Sequence, residues 1–469
     1  MNTHNNATPV WNRRNWLVAA LGLSASALPL IGHTDDDDES SNVASGAPLT
    51  LAQTGLTAKV VVVGGGMAGA TAAKYLRLWG GAGVQVTLVE PNASYTSNIM
   101  SNLVLNGTRN LSSLGYGYSS LSSRYGVLVK QASVLSVDTT QRLVTLTDNS
   151  VLSYDRLVVA PGIEFMDAYG LVANDYATST PHAWQAGPQT TLLAQQLQGM
   201  SNGGTFVMSI PKAPYRCPPG PYERACVVAD YLKSTGRSAS KVVVLDENLS
   251  IQAEKHTFET AFNTTHGTVI EYVPGVTDLQ INPQTKVVTY KDALGTPIQK
   301  TAQVVSPIVP HRARGSSSGG WLDAMGLNNS VDKRWCVVDV LSYESTAVPG
   351  VHVVGDAASC GMPKAGHVAN QEAKICADAI ARLLASQSPD VAPVANSACY
   401  SPITASTASW LTVVYQYDPN LKKMVPSAQI NGVSGTTAGA AAVEAASPSA
   451  QNFRQMGTWF NTLMGDSFA

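Results

Sequence analysis

The sequence predicts an α/β protein with two Rossmann-like dinucleotide-binding domains and a smaller C-terminal α+β domain. A run of β-branched residues, Val60–Val63, leads directly into a glycine-rich turn and a helical segment. A second strand, at 203–211, is followed by another helical segment, and a third strand ends in Gly355-Asp356 before a long helix. Strands that alternate with helices in this way indicate parallel sheets covered by helices.

Composition and charge narrow the class of protein. The chain has 469 residues, of which 44% are hydrophobic and 13% charged, and its formal net charge is −2. This is a globular composition, long enough for several domains. A charge this close to zero gives no electrostatic basis for binding nucleic acid or an anionic membrane.

The N-terminal segment has the layout of an export signal. The adjacent Arg13 and Arg14 precede an apolar stretch, Leu17–Ile31, which is too short for a stable transmembrane helix. Residues 1–32 therefore predict a twin-arginine signal and a periplasmic protein, although an uncleaved anchor is the alternative. Residues 33–57 contain four consecutive aspartates and predict a solvated acidic linker, with no metal site.

The glycine-rich turn after the linker predicts a dinucleotide site. Gly64, Gly66 and Gly69 form G-x-G-x-x-G between two strands, and the second strand ends in Glu90. Glycines allow the backbone to approach a pyrophosphate at the helix N-terminus, and the acidic side chain can accept hydrogen bonds from a ribose. A carboxylate at this point disfavours a 2′-phosphate.

Two later motifs favour FAD over NAD. A strand at 154–164 ends in Ala160-Pro161-Gly162, and Gly355-Asp356 closes another strand. Together the motifs resemble the two-dinucleotide-fold flavoproteins. This resemblance implies an FAD domain divided into 58–183 and 303–390, around a second dinucleotide-fold domain at 184–302. A C-terminal domain then covers 391–469.

The turn after the strand at 203–211 departs from a nucleotide-binding loop. It reads "YRCPPGPYE" (215–223), with three prolines and Cys217. Proline has no N–H to donate to a phosphate. We therefore predict that the second domain has no NAD(P)H site and that electrons enter elsewhere.

Several strings resemble the flavoprotein subunit of flavocytochrome c sulfide dehydrogenase, a relative of sulfide:quinone oxidoreductase. They include "RCPPGPYERA" (216–225), "WCVVD" (335–339), "MPKAGHVAN" (362–370) and "CYS" (399–401), and they run from about residue 58 to the end. The resemblance implies that Cys217 and Cys336 form a redox-active disulfide beside the flavin. It also implies that Glu223 is an acid/base near the sulfurs and that a c-type cytochrome is the acceptor.

One departure from the family concerns flavin attachment. The family carries a cysteine that binds the flavin covalently, and Asn98 stands at the matching place, so we expect non-covalent FAD. The remaining predicted FAD-binding residues come from the motifs already quoted and from segments matching the family. The full predicted cofactor set is Gly64, Gly66, Met67, Ala68, Gly69, Glu90, Pro91, Asn92, Asn98, Val134, Ala160, Pro161, Gly162, Gly355, Asp356 and Lys364.

The other cysteines and two histidines have less specific interpretations. An exported protein can form one to three structural disulfides, and a Cys217–Cys336 bridge could itself be purely structural. Cys226 and Cys376 are expected in the core, Cys360 is expected to be buried, and Cys399 is unassigned. His182 and His367 are expected to be packed, hydrogen-bonded residues.

The C-terminal helical segment places Phe453, Met456, Phe460, Leu463 and Met464 on one face. We expect this face to pack on the protein's own core, with a partner subunit or a bilayer as alternatives.

Three functions fit these observations. The first is a periplasmic sulfide dehydrogenase that passes electrons through FAD to a c-type cytochrome subunit or a soluble cytochrome c. The second is a sulfide:quinone oxidoreductase. The third is an exported flavoprotein redox partner without sulfide turnover.

Overall fold

The computed structural model describes residues 47–427, 429–430, 433–434 and 442–469. The predicted signal and most of the acidic linker lie outside these residues. The strands in chain order are β1 Ala58–Val63, β2 Val84–Val89, β3 Ser94–Thr96, β4 Gly115–Gly117, β5 Leu128–Lys130, β6 Val134–Asp138, β7 Leu143–Leu146, β8 Val151–Ser153, β9 Arg156–Val159, β10 Ile163–Phe165, β11 Thr205–Ile210, β12 Lys241–Asp246, β13 Ile270–Pro274, β14 Thr277–Ile281, β15 Val287–Lys291, β16 Pro297–Thr301, β17 Val304–Pro307, β18 His311–Ala313, β19 Cys336–Asp339, β20 Glu344–Ser345, β21 Val351–Val353, β22 Ala358–Ser359, β23 Val394–Pro402, β24 Ala408–Asp418, β25 Lys423–Pro426, β26 Gln429–Ile430, β27 Val433–Ser434 and β28 Ala442–Glu444.

The α-helices are α1 Met67–Gly80, α2 Ser119–Tyr125, α3 Ala173–Thr178, α4 Pro188–Gln198, α5 Gly220–Ser234, α6 Lys255–Thr260, α7 Trp321–Ala324, α8 Gly366–Leu384 and α9 Ala450–Phe468. Three short 3₁₀ segments lie at Ser101–Val104, Leu111–Leu114 and Gly355–Ala357, and a π-helical turn lies at Ala261–Thr265.

The first Rossmann-like sheet has eight strands in the order β22-β19-β20-β21-β9-β1-β2-β5. Strand β1 lies parallel to both β2 and β9, and β21 lies parallel to β9. Val60–Val63 are at most 6% exposed, as expected for a strand covered on both faces. Strands before residue 160 and after residue 335 thus build one sheet.

The second Rossmann-like sheet is parallel, with the order β13-β12-β11-β17. The predicted strand at 203–211 is β11, and its Phe206, Val207 and Met208 are buried. Strand β17, Val304–Pro307, pairs with β11, although the predicted boundary at 302 assigns it to the first domain. Strands β10 and β18 pair with each other where the chain enters and leaves this central domain.

The C-terminal part combines an antiparallel sheet with helix α9, so the α+β prediction is confirmed. Strand β24 pairs with β23, β25 and β28. On α9, Met456, Phe460, Leu463 and Met464 are buried, and Phe453 packs against the same core. This confirms that the apolar face packs on the protein itself. Within the described residues, no helix is both long and apolar enough to cross a bilayer.

Candidate active site

A cavity of about 590 Å³ collects most of the predicted site residues. It lies beyond the carboxyl ends of β1, β2, β9 and β21, where ligands bind in sheets of this kind. Gly69, Lys364 and Cys336 are the predicted residues that do not line it. Those that do are Gly64, Gly66, Met67, Ala68, Glu90, Pro91, Asn92, Asn98, Val134, Ala160, Pro161, Gly162, Cys217, Glu223, Gly355 and Asp356.

The glycine turn is packed too tightly to accommodate a side chain at Gly64 or Gly69. A Cβ on Gly64 would lie 2.2 Å from the Ala160 carbonyl oxygen, and φ at Gly64 is +96°. A Cβ on Gly69 would lie 1.7 Å from the Gly64 carbonyl oxygen. At Gly66, by contrast, the nearest atom to an added Cβ is 3.8 Å away. The turn therefore leaves open space at the N-terminus of α1, which suits a pyrophosphate.

Glu90 anchors the neighbouring loop. Its carboxylate accepts hydrogen bonds from the Gly65 N–H at 2.8 Å and from the Asn92 backbone and side-chain amides at 2.9 and 2.7 Å. The acid thus stands at the cavity wall in a fixed orientation, where it can also accept a ribose hydroxyl.

Gly355 and Asp356 form another part of the cavity wall. Gly355 has φ +76°, and its N–H donates to Glu372 Oε2 at 2.6 Å. Glu372 is buried on α8, and its other oxygen accepts the Cys360 thiol at 3.0 Å. Glu372 therefore positions the strand end, a role that the sequence did not indicate because no motif links Glu372 to Gly355, 17 residues earlier.

The proline-rich turn at 215–223 is held from several sides. The Cys217 N–H donates to the Lys364 carbonyl at 2.7 Å, and the Gly220 N–H donates to the Cys217 carbonyl at 2.9 Å. The Tyr215 hydroxyl donates to the Pro218 carbonyl, and Arg216 lies 3.9 Å from the Asp356 carboxylate. Cys217 itself adopts a left-handed φ of +58°, which is uncommon for a residue other than glycine and requires such support.

Lys364 does not line the cavity, but it stabilises residues that do. Its ammonium donates to the Asp356 and Ala358 carbonyls, each at 2.8 Å, and lies 3.7 Å from the centre of the Trp335 ring. Through its own carbonyl it holds the Cys217 N–H. Lys364 therefore joins the Gly355-Asp356 segment to the cysteine turn.

Glu223 lies on the first turn of α5, beside Cys217. It is 8% exposed and accepts a hydrogen bond from Asn102 Nδ2 at 2.9 Å. Burial raises the pKa of its carboxyl to about 7. Burial, and next the Glu223 charge, raise the pKa of the Cys217 thiol to about 12. Glu223 can therefore exchange a proton near neutral pH.

The second predicted cysteine is not on the cavity wall. Cys336 opens β19, is fully buried in the core, and has Lys364 as the charged group acting on its thiol. The cavity wall carries Cys399 of β23 instead. Burial, followed by the charges of Cys217, Glu254 and Glu223, raises the pKa of the Cys399 thiol well above its usual value. Cys399 therefore lines the cavity together with Cys217 and Glu223 and Cys336 does not, while the predicted Cys217–Cys336 disulfide stays a prediction.

Several other predictions can be compared with the structure. All six cysteines are free thiols, so the structure contains none of the structural disulfides considered from the sequence. Cys226 and Cys376 are buried in the core, and Cys360 is buried against Glu372. Burial lowers the pKa of His182 to about 3 and that of His367 to about 4, and both rings accept backbone N–H groups.

Asn98 lines the cavity, with its side-chain oxygen accepting the Ala186 N–H at 2.8 Å. The amide therefore ties the Ser101–Val104 segment to the loop before α4. The cradle formed by Gly64 and Gly66, the fixed carboxylate of Glu90 and the cavity volume together fit FAD.

The central domain differs at the place where a second nucleotide would bind. Asp246 ends β12, the position whose acid contacts a ribose in nucleotide-binding folds. Here it is fully buried and accepts the hydroxyls of Tyr222 and Tyr272 at 2.8 and 2.9 Å. Asn248 also donates to it at 2.8 Å. The protein's own side chains thus donate the hydrogen bonds that this carboxylate could otherwise accept from a ribose.

The fold and the glycine-lined cavity define a two-dinucleotide-fold oxidoreductase. Residues 58–181 match the family model of pyridine nucleotide-disulphide oxidoreductases. Residues 190–309 match the family model described as the central part of the sulfide dehydrogenase (flavocytochrome c) flavoprotein chain. The resemblance predicted from the sequence is confirmed.

Solved structures show the same fold at low sequence identity. The sulfide:quinone oxidoreductase of Aquifex aeolicus superposes with a TM-score of 0.68 at 15% identity, covering 87% of this chain and 92% of that one. A NAD-dependent persulfide reductase from A. fulgidus gives 0.55 at 13% identity, covering 86% and 77%. Putidaredoxin reductase, in its covalent complex with putidaredoxin, gives 0.58 at 16% identity, covering 88% and 94%.

Proposed function

We propose that this chain is a periplasmic FAD-dependent sulfide dehydrogenase whose reacting sulfurs belong to Cys217 and Cys399. The observation that carries the proposal is their shared cavity: both cysteines and Glu223 line the same space as Gly64, Gly66 and Gly355. Helix α5, which follows Cys217, packs against β23, which carries Cys399. The match of residues 190–309 to the sulfide dehydrogenase central domain supports the substrate.

We infer the following chemistry for the two sulfurs. In the disulfide form, hydrosulfide attacks one sulfur, the Cys217–Cys399 bond breaks, and a persulfide forms on one cysteine while a thiolate forms on the other. Sulfide loses two electrons and the protein disulfide gains them. Glu223, with a pKa of about 7, can take the proton of the incoming hydrosulfide or return one to the thiolate.

The residues that would hold FAD are those of the glycine cradle, Glu90, Ala160-Pro161-Gly162 and Gly355-Asp356. When bound, FAD supplies an acceptor for an electron pair that can be passed on singly. Because an amide cannot form a thioether, Asn98 supports non-covalent binding. The family description supports a c-type cytochrome as the acceptor.

An anaerobic sulfide titration of the flavin spectrum tests the proposal. We expect sulfide to bleach the flavin of the wild type and of Cys336→Ser. We expect Cys217→Ser and Cys399→Ser each to abolish this reaction while retaining flavin. If Cys399→Ser reacts normally and Cys336→Ser does not, the assignment of Cys399 is refuted. Absence of bleaching in the wild type would instead support an exported redox partner without sulfide turnover.

The acceptor is tested separately with the sulfide-reduced protein. We expect cytochrome c to be reduced without added detergent and a water-soluble quinone to be reduced slowly or not at all. Rapid, detergent-dependent reduction of quinone would favour a sulfide:quinone oxidoreductase. Cell fractionation of the native host tests the periplasmic location.

A further inference from the structure

Glu223 accepts a hydrogen bond from a residue of the first domain. Asn102 is buried and lies in the 3₁₀ segment Ser101–Val104. Its Nδ2 donates to Glu223 Oε1 at 2.9 Å and to the Gly220 carbonyl at 3.2 Å. Both acceptors belong to the first turn of α5. Asn102 therefore contacts the carboxyl group and the helical turn that carries it.

Arg224 determines which end of the Asn102 amide faces Glu223. The Arg224 Nε donates to Asn102 Oδ1 at 3.0 Å. A guanidinium has only donors, so it requires the amide oxygen, and the amide nitrogen is left for Glu223. The reverse orientation would place an N–H against the guanidinium and an oxygen against the carboxylate. The Asn102 amide is thus fixed as a donor to Glu223.

Arg224 is itself firmly held, at 1% exposed. Its Nη1 donates to the His182 carbonyl at 2.6 Å and to the Ser306 hydroxyl at 3.2 Å, and its Nη2 donates to the Ala183 carbonyl at 2.7 Å. Its guanidinium carbon lies 4.8 Å from the centre of the Trp184 ring. Turning away from Asn102 would leave buried polar groups unpaired, which is costly.

The two oxygens of Glu223 therefore differ. Oε1 accepts the Asn102 amide, whereas Oε2 accepts no hydrogen bond from the described residues. Glu223 lines the same cavity as Cys217 and Cys399. Oε2 is thus the oxygen left to exchange a proton in that cavity.

We propose that Asn102, fixed by Arg224, is the positioning residue for Glu223 and that proton exchange takes place at Glu223 Oε2. The S–H bond of the incoming hydrosulfide breaks and an O–H bond forms at Oε2. One proton moves and no electrons are exchanged. The inference rests on the proposed function only in giving Glu223 this proton to exchange.

The hydrogen bond from Asn102 also counteracts the burial of Glu223. Burial raises the pKa of the Glu223 carboxyl, whereas the Asn102 hydrogen bond and then the Arg224 charge lower it, and the result is about 7. Without Asn102 the carboxyl would keep its proton at neutral pH and could not accept another. The other titratable groups that interact with Glu223 through charge are Cys217, Cys226 of α5, Glu254 before α6 and Cys399 of β23.

Infrared titration of the oxidised holoenzyme tests the inference. The band of the protonated Glu223 carboxyl is identified by its absence in Glu223→Gln, and its midpoint is followed against pH. Asn102→Leu removes the donor with little change in volume. We expect the midpoint to rise by about one to two pH units, because the carboxylate loses its hydrogen bond.

Two further variants and a control complete the titration. Asn102→Ala removes the donor without adding bulk, and it decides the matter if Asn102→Leu does not fold. Arg224→Lys keeps the charge but lacks the planar group that fixes the amide, so we expect a smaller rise. Asn328→Leu is the matched control, because Asn328 is also buried and donates to a carboxylate, Asp323, at 2.8 Å. We expect its Glu223 midpoint to equal that of the wild type.

An unchanged Glu223 midpoint in a folded Asn102→Leu or Asn102→Ala protein would overturn the inference. An equal rise in Asn328→Leu would do the same, since it would indicate a general structural change. The titration needs no sulfide, so its result stands even if sulfide fails to bleach the flavin.

The rate of flavin bleaching by sulfide gives a second readout. Its step near pH 7 should move upward in Asn102→Leu together with the infrared midpoint. A rate lowered by the same factor at every pH would show that Asn102 only supports the fold, which would also overturn the inference.

Discussion

The backbone N–H of Cys217 donates to the carbonyl of Lys364 at 2.7 Å, and this bond joins the two halves of the site. Cys217 comes from the central domain, whereas Lys364 follows Gly355-Asp356 in the first domain. The Lys364 ammonium in turn bonds to two carbonyls of that segment. The position of the sulfur is therefore set by the same residue that stabilises the Gly355-Asp356 wall.

Replacing Lys364 should destabilise the fold. Lys364→Met leaves the Asp356 and Ala358 carbonyls without their donor, and an unsatisfied buried acceptor costs roughly 1–3 kcal/mol. We expect the free energy of unfolding to fall by about 2 kcal/mol, measured by urea denaturation. Lys291→Met is the control, since its ion pair with Asp278 is exposed to solvent and contributes little to stability. Equal losses in the two variants would contradict this role.

Substitutions at two glycines of the turn should distinguish an effect on stability from an effect on cofactor binding. Gly64→Ala places a Cβ 2.2 Å from a carbonyl oxygen at φ +96°, so we expect a loss of about 3 kcal/mol of stability even without FAD. Gly66→Ala has 3.8 Å of clearance and should change apoprotein stability by less than about 1 kcal/mol.

Because Gly66 faces the cavity, its variant should nevertheless bind FAD more weakly. Thermal unfolding of the apoproteins and fluorescence titration with FAD check both expectations. If Gly66→Ala binds FAD as tightly as the wild type, the pyrophosphate does not lie at the N-terminus of α1.

Glu223 should make stability depend on pH. Its folded pKa of about 7 lies above the ordinary value of 4.5, so the stability it contributes is fully present below pH 4.5 and is lost as pH rises through 7. The stability difference between wild type and Glu223→Gln should therefore change by about 3 kcal/mol over this range, in favour of the variant at high pH.

Urea denaturation at pH 4.5, 6 and 8 measures this difference, with Glu259→Gln as an exposed control. The rate of flavin bleaching by sulfide should also lose a step near pH 7 in Glu223→Gln. A parallel pH dependence of stability in wild type and Glu223→Gln would show that the carboxyl is not the titrating group.

Precipitation with acid should release the flavin completely. Asn98 has no nucleophilic atom, and its amide oxygen is engaged by the Ala186 N–H. The supernatant after trichloroacetic acid treatment should contain one flavin per chain, and the denatured protein should show no flavin fluorescence on a gel. Flavin retained on the denatured chain would mean that another residue forms the covalent bond.

NADH and NADPH should neither bind nor reduce the protein. Asp246, the acid that could accept a ribose in the central domain, is occupied by Tyr222, Tyr272 and Asn248. Calorimetric titration of the holoenzyme should give no heat above dilution. A measurable affinity that disappears in Asp246→Asn would contradict the assignment of this acid to the interior.

Much of the first domain could be predicted because its signals are local. Val60–Val63, the glycines after them and Glu90 lie within one strand-turn-helix-strand unit, where spacing determines geometry. The C-terminal helix was predicted for the same reason, since a single apolar face repeats along it. These predictions needed no knowledge of which distant segments meet.

The cysteine that lines the cavity with Cys217 could not be identified in this way. Cys336 and Cys399 both stand in strings that resemble the family, and only the packing of α5 against β23 shows which one reaches the cavity with Cys217. Glu372 belongs to no recognised motif. Its role arises from burial and from its contacts with Gly355 and Cys360, which spacing does not encode.

Cys217 lies in the turn before helix α5 of the central domain, and Cys399 belongs to the C-terminal sheet. A disulfide between them would join parts of the chain that are otherwise held together by packing. Closing so large a loop restrains the unfolded chain more than closing a short one does. The oxidised enzyme should accordingly resist heat and proteases better than the reduced one. The stability of the protein would then fall and rise again with each turnover.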